Sequence, residues 1–209
     1  GAEGQPLPVF GMGHSLGAKL QMLTACADGQ AAQPRAGFYL MSFNNFSAGD
    51  NVRLLEQYAR ELLQRRDLGT GTAAAEALLR AMPMVARAAE GIAAQAGVEF
   101  SPSKQETLAR VGRLQCSAPT RVRLHSFETD TLDQSADLEP LLQERATLGI
   151  PLELTLEQLP VDHLTPVYVK ADGAQLSPAF KKFGTIAMGN EQQLKELTMD
   201  AIAFLRGFC

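Results

Sequence analysis

The sequence predicts an α/β fold: a parallel sheet flanked by helices, with a helical insertion between its second and third strands. Three observations carry this. Short apolar runs of strand length alternate with segments of helical period. The stretch 51–117 has little strand character. Gly13-His14-Ser15-Leu16-Gly17 stands between an apolar run and a helical pattern.

Residues 7–10 form the first apolar run, and Leu16, Leu20 and Leu23 recur at helical spacing behind it. Gly29 and Pro34 punctuate the chain before a buried strand at 36–42 (AGFYLMS). The loop Phe43-Asn44-Asn45-Phe46-Ser47 follows. In the insertion, Leu54, Leu55, Tyr58 and Leu62 mark one helix. Leu78, Met82, Val85, Ala89 and Ile92 mark another, bent or restarted at Pro83. Gly69-Thr70-Gly71-Thr72 reads as a linker inside it. Ser103 and Glu106 have capping-box spacing ahead of Leu108 and Val111.

Strand character returns at 120–127 (TRVRLHSF). Asp137 is placed to cap a helix carrying Leu138, Leu141, Leu142 and Leu148. Leu152, Leu154 and Leu156 alternate with Glu153, Thr155 and Glu157, the pattern of a half-exposed edge strand. A last amphipathic helix spans 191–208, with Leu194, Leu197, Ile202 and Leu205 on one face. The domain reading is a core of residues 1–50 and 118–209, with 51–117 as the helical insertion.

Composition narrows the function classes. At 209 residues and 45% hydrophobic content the chain can bury one sizeable core. Net charge is −4 with no basic stretch, which argues against nucleic acid as a partner. No run of 18 apolar residues spans a membrane, and no signal-peptide pattern opens the chain. Cys26, Cys116 and Cys209 show no paired spacing, which fits a reducing compartment, and Cys26 reads as a buried small apolar residue. The three histidines show no metal-ligand spacing and no cofactor loop is present, so neither metal nor cofactor is expected.

Strand, G-x-S-x-G and helix make the context of a nucleophile elbow. Ser15 is then the nucleophile, and the Leu16 N–H, at a helix N-terminus, is an oxyanion donor. A serine needs a base, and the base an orienting acid. In chain order the acid should follow the third strand and the base the fourth. His163, in Leu159-Pro160-Val161-Asp162-His163-Leu164-Thr165-Pro166, is the expected base. Asp130 is the expected acid, with Asp133, and also Glu128, as alternatives on the same loop. Asp162 reads as a turn residue, His14 as packing or bonding beside the serine, and His125 as structural. The chemistry expected is acyl transfer from an ester, thioester or amide: His163 takes the Ser15 proton, Ser15 attacks the carbonyl, and water releases the acyl group.

These residues resemble the α/β-hydrolase superfamily and, more closely, the DUF1350 family of cyanobacterial and plastid proteins. The resembling pieces are Val9-Phe10-Gly11-Met12-Gly13-His14-Ser15-Leu16-Gly17, Ser42-Phe43-Asn44-Asn45-Phe46-Ser47, Phe100-Ser101-Pro102-Ser103, Thr131-Leu132-Asp133-Gln134-Ser135 and the segment around His163. The resemblance implies a hydrolase-like fold and supplies no substrate. By analogy with that fold, this chain corresponds to its C-terminal part. The N-terminal half, with the second oxyanion donor, is expected on a longer parent or a partner chain, and the isolated chain is expected to be nearly inactive.

The insertion then sits where hydrolases carry a cap. Met82 and Val85, with Leu78, Met84 and Ile92, either line an acyl pocket or pack the cap onto the core. Ester or thioester hydrolysis of an acyl or lipid-like substrate is the leading expectation. A non-catalytic scaffold or assembly subunit is the alternative, and a peripheral lipid-binding module is a third. The resemblance implies a plastid stroma or a cyanobacterial cytoplasm.

Overall fold

The computed structural model describes residues 7–29, 31, 33–46, 50, 81, 84, 88, 91, 102–172, 185–188 and 190–208. The chain divides into two compact units, Gly1–Asn45 with Leu108–Cys209, and Phe46–Thr107.

The first unit is built on a four-stranded sheet of order β1-β2-β3-β4: β1 Phe10–Ser15, β2 Gly37–Phe43, β3 Thr120–Phe127 and β4 Leu152–Leu159. All neighbours pair in parallel, so every strand points its carboxyl end to the same edge. Helices given whole by the described residues are α1 Leu16–Asp28, α2 Lys104–Val111, α3 Ser135–Thr147 and α4 Glu191–Arg206.

Period-two alternation divides the core between the two faces of the sheet. Phe38 and Leu40 of β2, with Val122 and Leu124 of β3, pack with Ala18 and Met22 of α1 and Leu138 and Leu142 of α3. Tyr39 and Met41, with Phe127, pack with Leu197 and Phe204 of α4. Both faces of β2 are therefore buried, which its unbroken apolar sequence requires. β4 is an edge with alternating exposure, as Leu152, Leu154 and Leu156 lead one to expect.

The structure corrects several boundaries. The first strand is Phe10–Ser15 rather than 7–10, and the apolar Leu7 and Val9 are exposed. Gly11 and Gly13 are strand residues placed at close approaches. A Cβ on Gly11 would stand 2.6 Å from the Phe38 ring, and one on Gly13 would stand 2.4 Å from the Gly17 backbone. Asp137 does not cap α3, because that helix starts at Ser135. Asp133, two residues ahead of the helix, instead takes the Ser135 N–H at 2.7 Å.

The Ser103–Glu106 capping box forms in both directions. The Ser103 N–H donates to Glu106 Oε2 at 3.0 Å, and the Glu106 N–H to Ser103 Oγ at 3.2 Å. α4 is capped by Asn190, whose side chain accepts from the Gln192 and Gln193 N–H groups. An antiparallel pair that the sequence reading missed, β5 Val169–Asp172 and β6 Thr185–Met188, lies between β4 and α4 in the chain.

In the second unit, residues 81, 84, 88 and 91 are helical and Met84 is 73% exposed. Met82, Val85, Leu78, Ile92 and the 69–72 linker lie outside the described residues. Among the described residues no helix is long and apolar enough to cross a membrane.

Candidate active site

Parallel strands bring residues far apart in sequence to one edge of a sheet, where crevices open beyond the strand carboxyl ends. Ser15 ends β1, Ser42 lies near the end of β2, Asp130 follows β3, and His163 follows β4.

Ser15 is the joint between β1 and α1. Its backbone is held at φ 57°, ψ −124°, a region that costs a non-glycine residue about 1–3 kcal/mol. The strand must turn into the helix at this residue, and Gly13 allows the helix backbone to close over the strand. The Ser15 side chain makes no capping bond to α1. Its carbonyl accepts the Asn44 N–H at 3.3 Å, tying the elbow to the loop after β2. Leu16 opens α1, so its N–H is among those with no partner within the helix.

A register shift sits beside the elbow. His14 pairs with Met41 but Ser15 with Phe43, so Ser42 is the extra residue of a bulge. Ser42 has φ 44° and is wholly buried. Its hydroxyl donates to Asp130 Oδ2 at 2.5 Å. Sequence reasoning missed this residue. The available signal was a hydroxyl at the carboxyl end of an otherwise apolar central strand.

Asp130 has a side chain only 1% exposed and lies 2.6 Å from His163 Nδ1. The Leu132 N–H donates to its other oxygen at 2.8 Å. Burial alone would raise its pKa. The bonds from His163, Ser42 and Leu132 outweigh that and hold the carboxyl below its usual value. An ionised, buried carboxylate at Nδ1 favours the proton on that nitrogen and leaves Nε2 as the basic atom.

Asp133, the alternative acid, is engaged elsewhere, accepting the Phe127 N–H at 2.5 Å and the Ser135 N–H at 2.7 Å. Burial raises its pKa. Asp162 accepts from the Leu164 N–H at 2.9 Å and closes the turn before the 3₁₀ segment Thr165–Val167.

His14, next to Ser15 in sequence, packs beside His163. Its ring lies 4.6 Å from the His163 ring and 6.2 Å from Phe127. Burial first, then the neighbouring His163 charge, lowers its pKa to about 4. His14 is therefore neutral at pH 7 and adds no positive charge beside His163. Cys26 packs against the core, and burial raises its thiol to about 11, as suits a structural cysteine.

A cavity of about 550 Å³ is lined by Asp130, Asp133, Glu128 and Glu139, among others, but by neither Ser15 nor His163. It lies beside Asp130, on the α3 side of β3 and β4.

The family model for "Protein of unknown function (DUF1350)" matches residues 2–202. The chain belongs to the DUF1350 family. No curated protein matches it significantly. Among solved structures it is similar to a thioesterase domain from the curacin biosynthetic pathway, at 14% identity and TM-score 0.35, over 76% of this chain and 60% of that one. It is also similar to the enol-lactonase from Burkholderia xenovorans, at 13% identity and TM-score 0.39, over 82% and 62%. A metagenome-derived lipolytic enzyme matches at 13% identity and TM-score 0.41, over 96% and 66%. The matched part of this DUF1350 chain thus spans less than two thirds of the length of these structures.

Proposed function

We propose that this chain carries the acyl-transfer centre of a serine hydrolase, with Ser15 as nucleophile, His163 as general base and Asp130 as its orienting acid. The observation that carries the reading is the 2.6 Å bond between the buried Asp130 carboxylate and His163 Nδ1, with the His163 ring against His14, the residue next to the strained Ser15. His163 Nε2 would take the Ser15 proton as Oγ adds to a substrate carbonyl. The Leu16 N–H would hold the developing oxyanion, and the imidazolium would then protonate the leaving group. Water, activated by the same histidine, would release the acyl group and regenerate Ser15.

The substrate class is an ester or thioester with an acyl or lipid-like body. The proposed cap, residues 51–117, would supply the acyl pocket through Met82 and Val85. This preference follows from the superfamily resemblance and the apolar spacing of the insertion. The same resemblance suggests a plastid stroma or a cyanobacterial cytoplasm.

A fluorophosphonate probe, applied to the protein together with the proposed N-terminal half of the fold, tests the centre. Labelling of the folded protein that disappears in Ser15→Ala and in His163→Ala is the expected result. A folded protein that stays unlabelled, or labelling that persists in Ser15→Ala, would overturn the assignment and favour a non-catalytic scaffold.

A further inference from the structure

A second cluster of titratable side chains lies on the α4 face of the sheet. None of Ser15, Asp130 and His163 lines the cavity beside it. His125 of β3 has a side chain only 1% exposed. Its Nε2 lies 2.9 Å from Asp200 Oδ2 on α4. Asp200 also accepts the Tyr39 hydroxyl at 2.9 Å and is ion-paired with Arg123. Burial and the bond to Asp200 raise the Tyr39 pKa, so the phenol stays protonated and donates. Asp200 Oδ2 is an acceptor for the Tyr39 hydroxyl, and His125 meets the same oxygen with an N–H at Nε2. The proton of the neutral ring is thereby assigned, and Nδ1 carries the lone pair.

Nδ1 is fully buried and has no hydrogen-bond partner among the described residues. It lies 3.6 Å from Glu157 Oε2 on β4. Two acceptors thus face each other across a gap too wide for a hydrogen bond. A metal ion held at about 2.0–2.2 Å by nitrogen and oxygen ligands in a tetrahedral arrangement separates those ligands by roughly 3.4 Å. Ligating histidines characteristically donate their other ring N–H to a carboxylate, which is the part Asp200 plays. The adjoining cavity of about 220 Å³ is bordered by Gln193 and Glu196 and leaves room for water ligands. Three carboxylates (Glu157, Asp200 and Glu196) outweigh the single guanidinium of Arg123.

We propose that His125 Nδ1 and Glu157 bind a divalent first-row transition ion of the zinc type, with Asp200 orienting the imidazole and water completing the coordination. A nitrogen ligand favours such ions over Mg²⁺ and Ca²⁺. The ligands come from a central strand and an edge strand, and Asp200 from a helix, so no local sequence spacing reveals them. Bound metal would clamp β4 and α4 to β3 and stabilise the folded chain.

The test is titration of the chelator-treated protein with Co²⁺ and Zn²⁺, read by Co²⁺ d–d absorption, by NMR of the His125 ring and by the Zn²⁺-dependent rise in Tm. One equivalent should bind, perturbing the His125 ring. Glu157→Gln, at a side chain 48% exposed, should fold normally and bind at least tenfold more weakly. Asp200→Asn should cost about 10–100-fold in affinity. Glu153→Gln, on the same strand, should bind like the parent. Absence of binding at millimolar Zn²⁺, an unmoved His125 ring, binding that Glu157→Gln leaves unchanged, or equal binding of Mg²⁺ would each overturn the proposal. If Asp200→Asn fails to fold, the Glu157→Gln comparison decides alone.

Discussion

At the scale of single residues, two side chains beside the elbow determine how the proposed base is held. Ser42 reaches Asp130 only because the bulge puts it in a left-handed conformation. Ser42→Ala keeps that backbone and removes the hydroxyl, whereas Ser42→Gly relaxes the backbone as well. A hydrogen bond to a charged group is worth about 1.5–3 kcal/mol, so both variants should slow fluorophosphonate labelling by roughly tenfold or more. A normal rate in Ser42→Gly would mean that the backbone matters and the hydroxyl does not. His14 gives a pH dependence of defined sign. Its folded pKa, about 4, lies below the ordinary 6.5. Between these values the unfolded chain binds a proton that the folded chain refuses, so stability falls as pH drops from 6.5 toward 4. His14→Gln should show a shallower fall in urea midpoint across that window than the parent. Parallel curves would refute the assignment.

At the scale of elements, the turn from β1 into α1 depends on one glycine far more than on the other. A Cβ at Gly13 meets backbone atoms of Gly17 and Ala18 at 2.4–2.6 Å, which cannot rotate away, while a Cβ at Gly17 meets nothing within 4 Å among the described residues. Gly13→Ala should therefore cost at least the roughly 1–3 kcal/mol typical of overpacking and abolish labelling. Gly17→Ala should be neutral or stabilise α1 by up to about 1 kcal/mol. Urea denaturation of the two variants checks this, and equal effects would contradict it. The same elbow shows what the sequence could and could not reveal. Apolar period placed β2, β3, β4 and their helices, because burial on one or both faces leaves a repeating pattern. The extent of β1 was hidden because its glycines serve close packing rather than chain reversal. Asp133 and Asp130 were hard to rank from a loop where both carboxylates are three residues apart. Which one meets the histidine depends on Ser42 and the Leu132 N–H holding Asp130, while backbone amides occupy Asp133. The cluster around His125 was illegible because it joins side chains from separate elements on one sheet face.

At the scale of the whole sheet, the candidate site hangs from strands of unequal protection. β2 and β3 are central, β2 buried on both faces and β3 at alternate positions, whereas β1 and β4 are the edges of the sheet among the described residues. Local opening in proteins starts where fewest buried contacts hold the backbone. Ser15 and His14 belong to one edge and His163 follows the other, so the His14–His163 contact should be lost by edge opening before the centre unfolds. In a urea series followed by NMR, the native ring signals of His14 and His163 should fade at lower urea than the amide protection of Phe38–Met41 and Val122–Leu124. The proposed centre would then be the least stable part of the sheet, even though its acid is buried beside the most stable strand. Coincident transitions would instead show that the edges and centre unfold as one unit, and that the bonds linking Ser42, Asp130 and His163 carry the stability of the central strands out to the site.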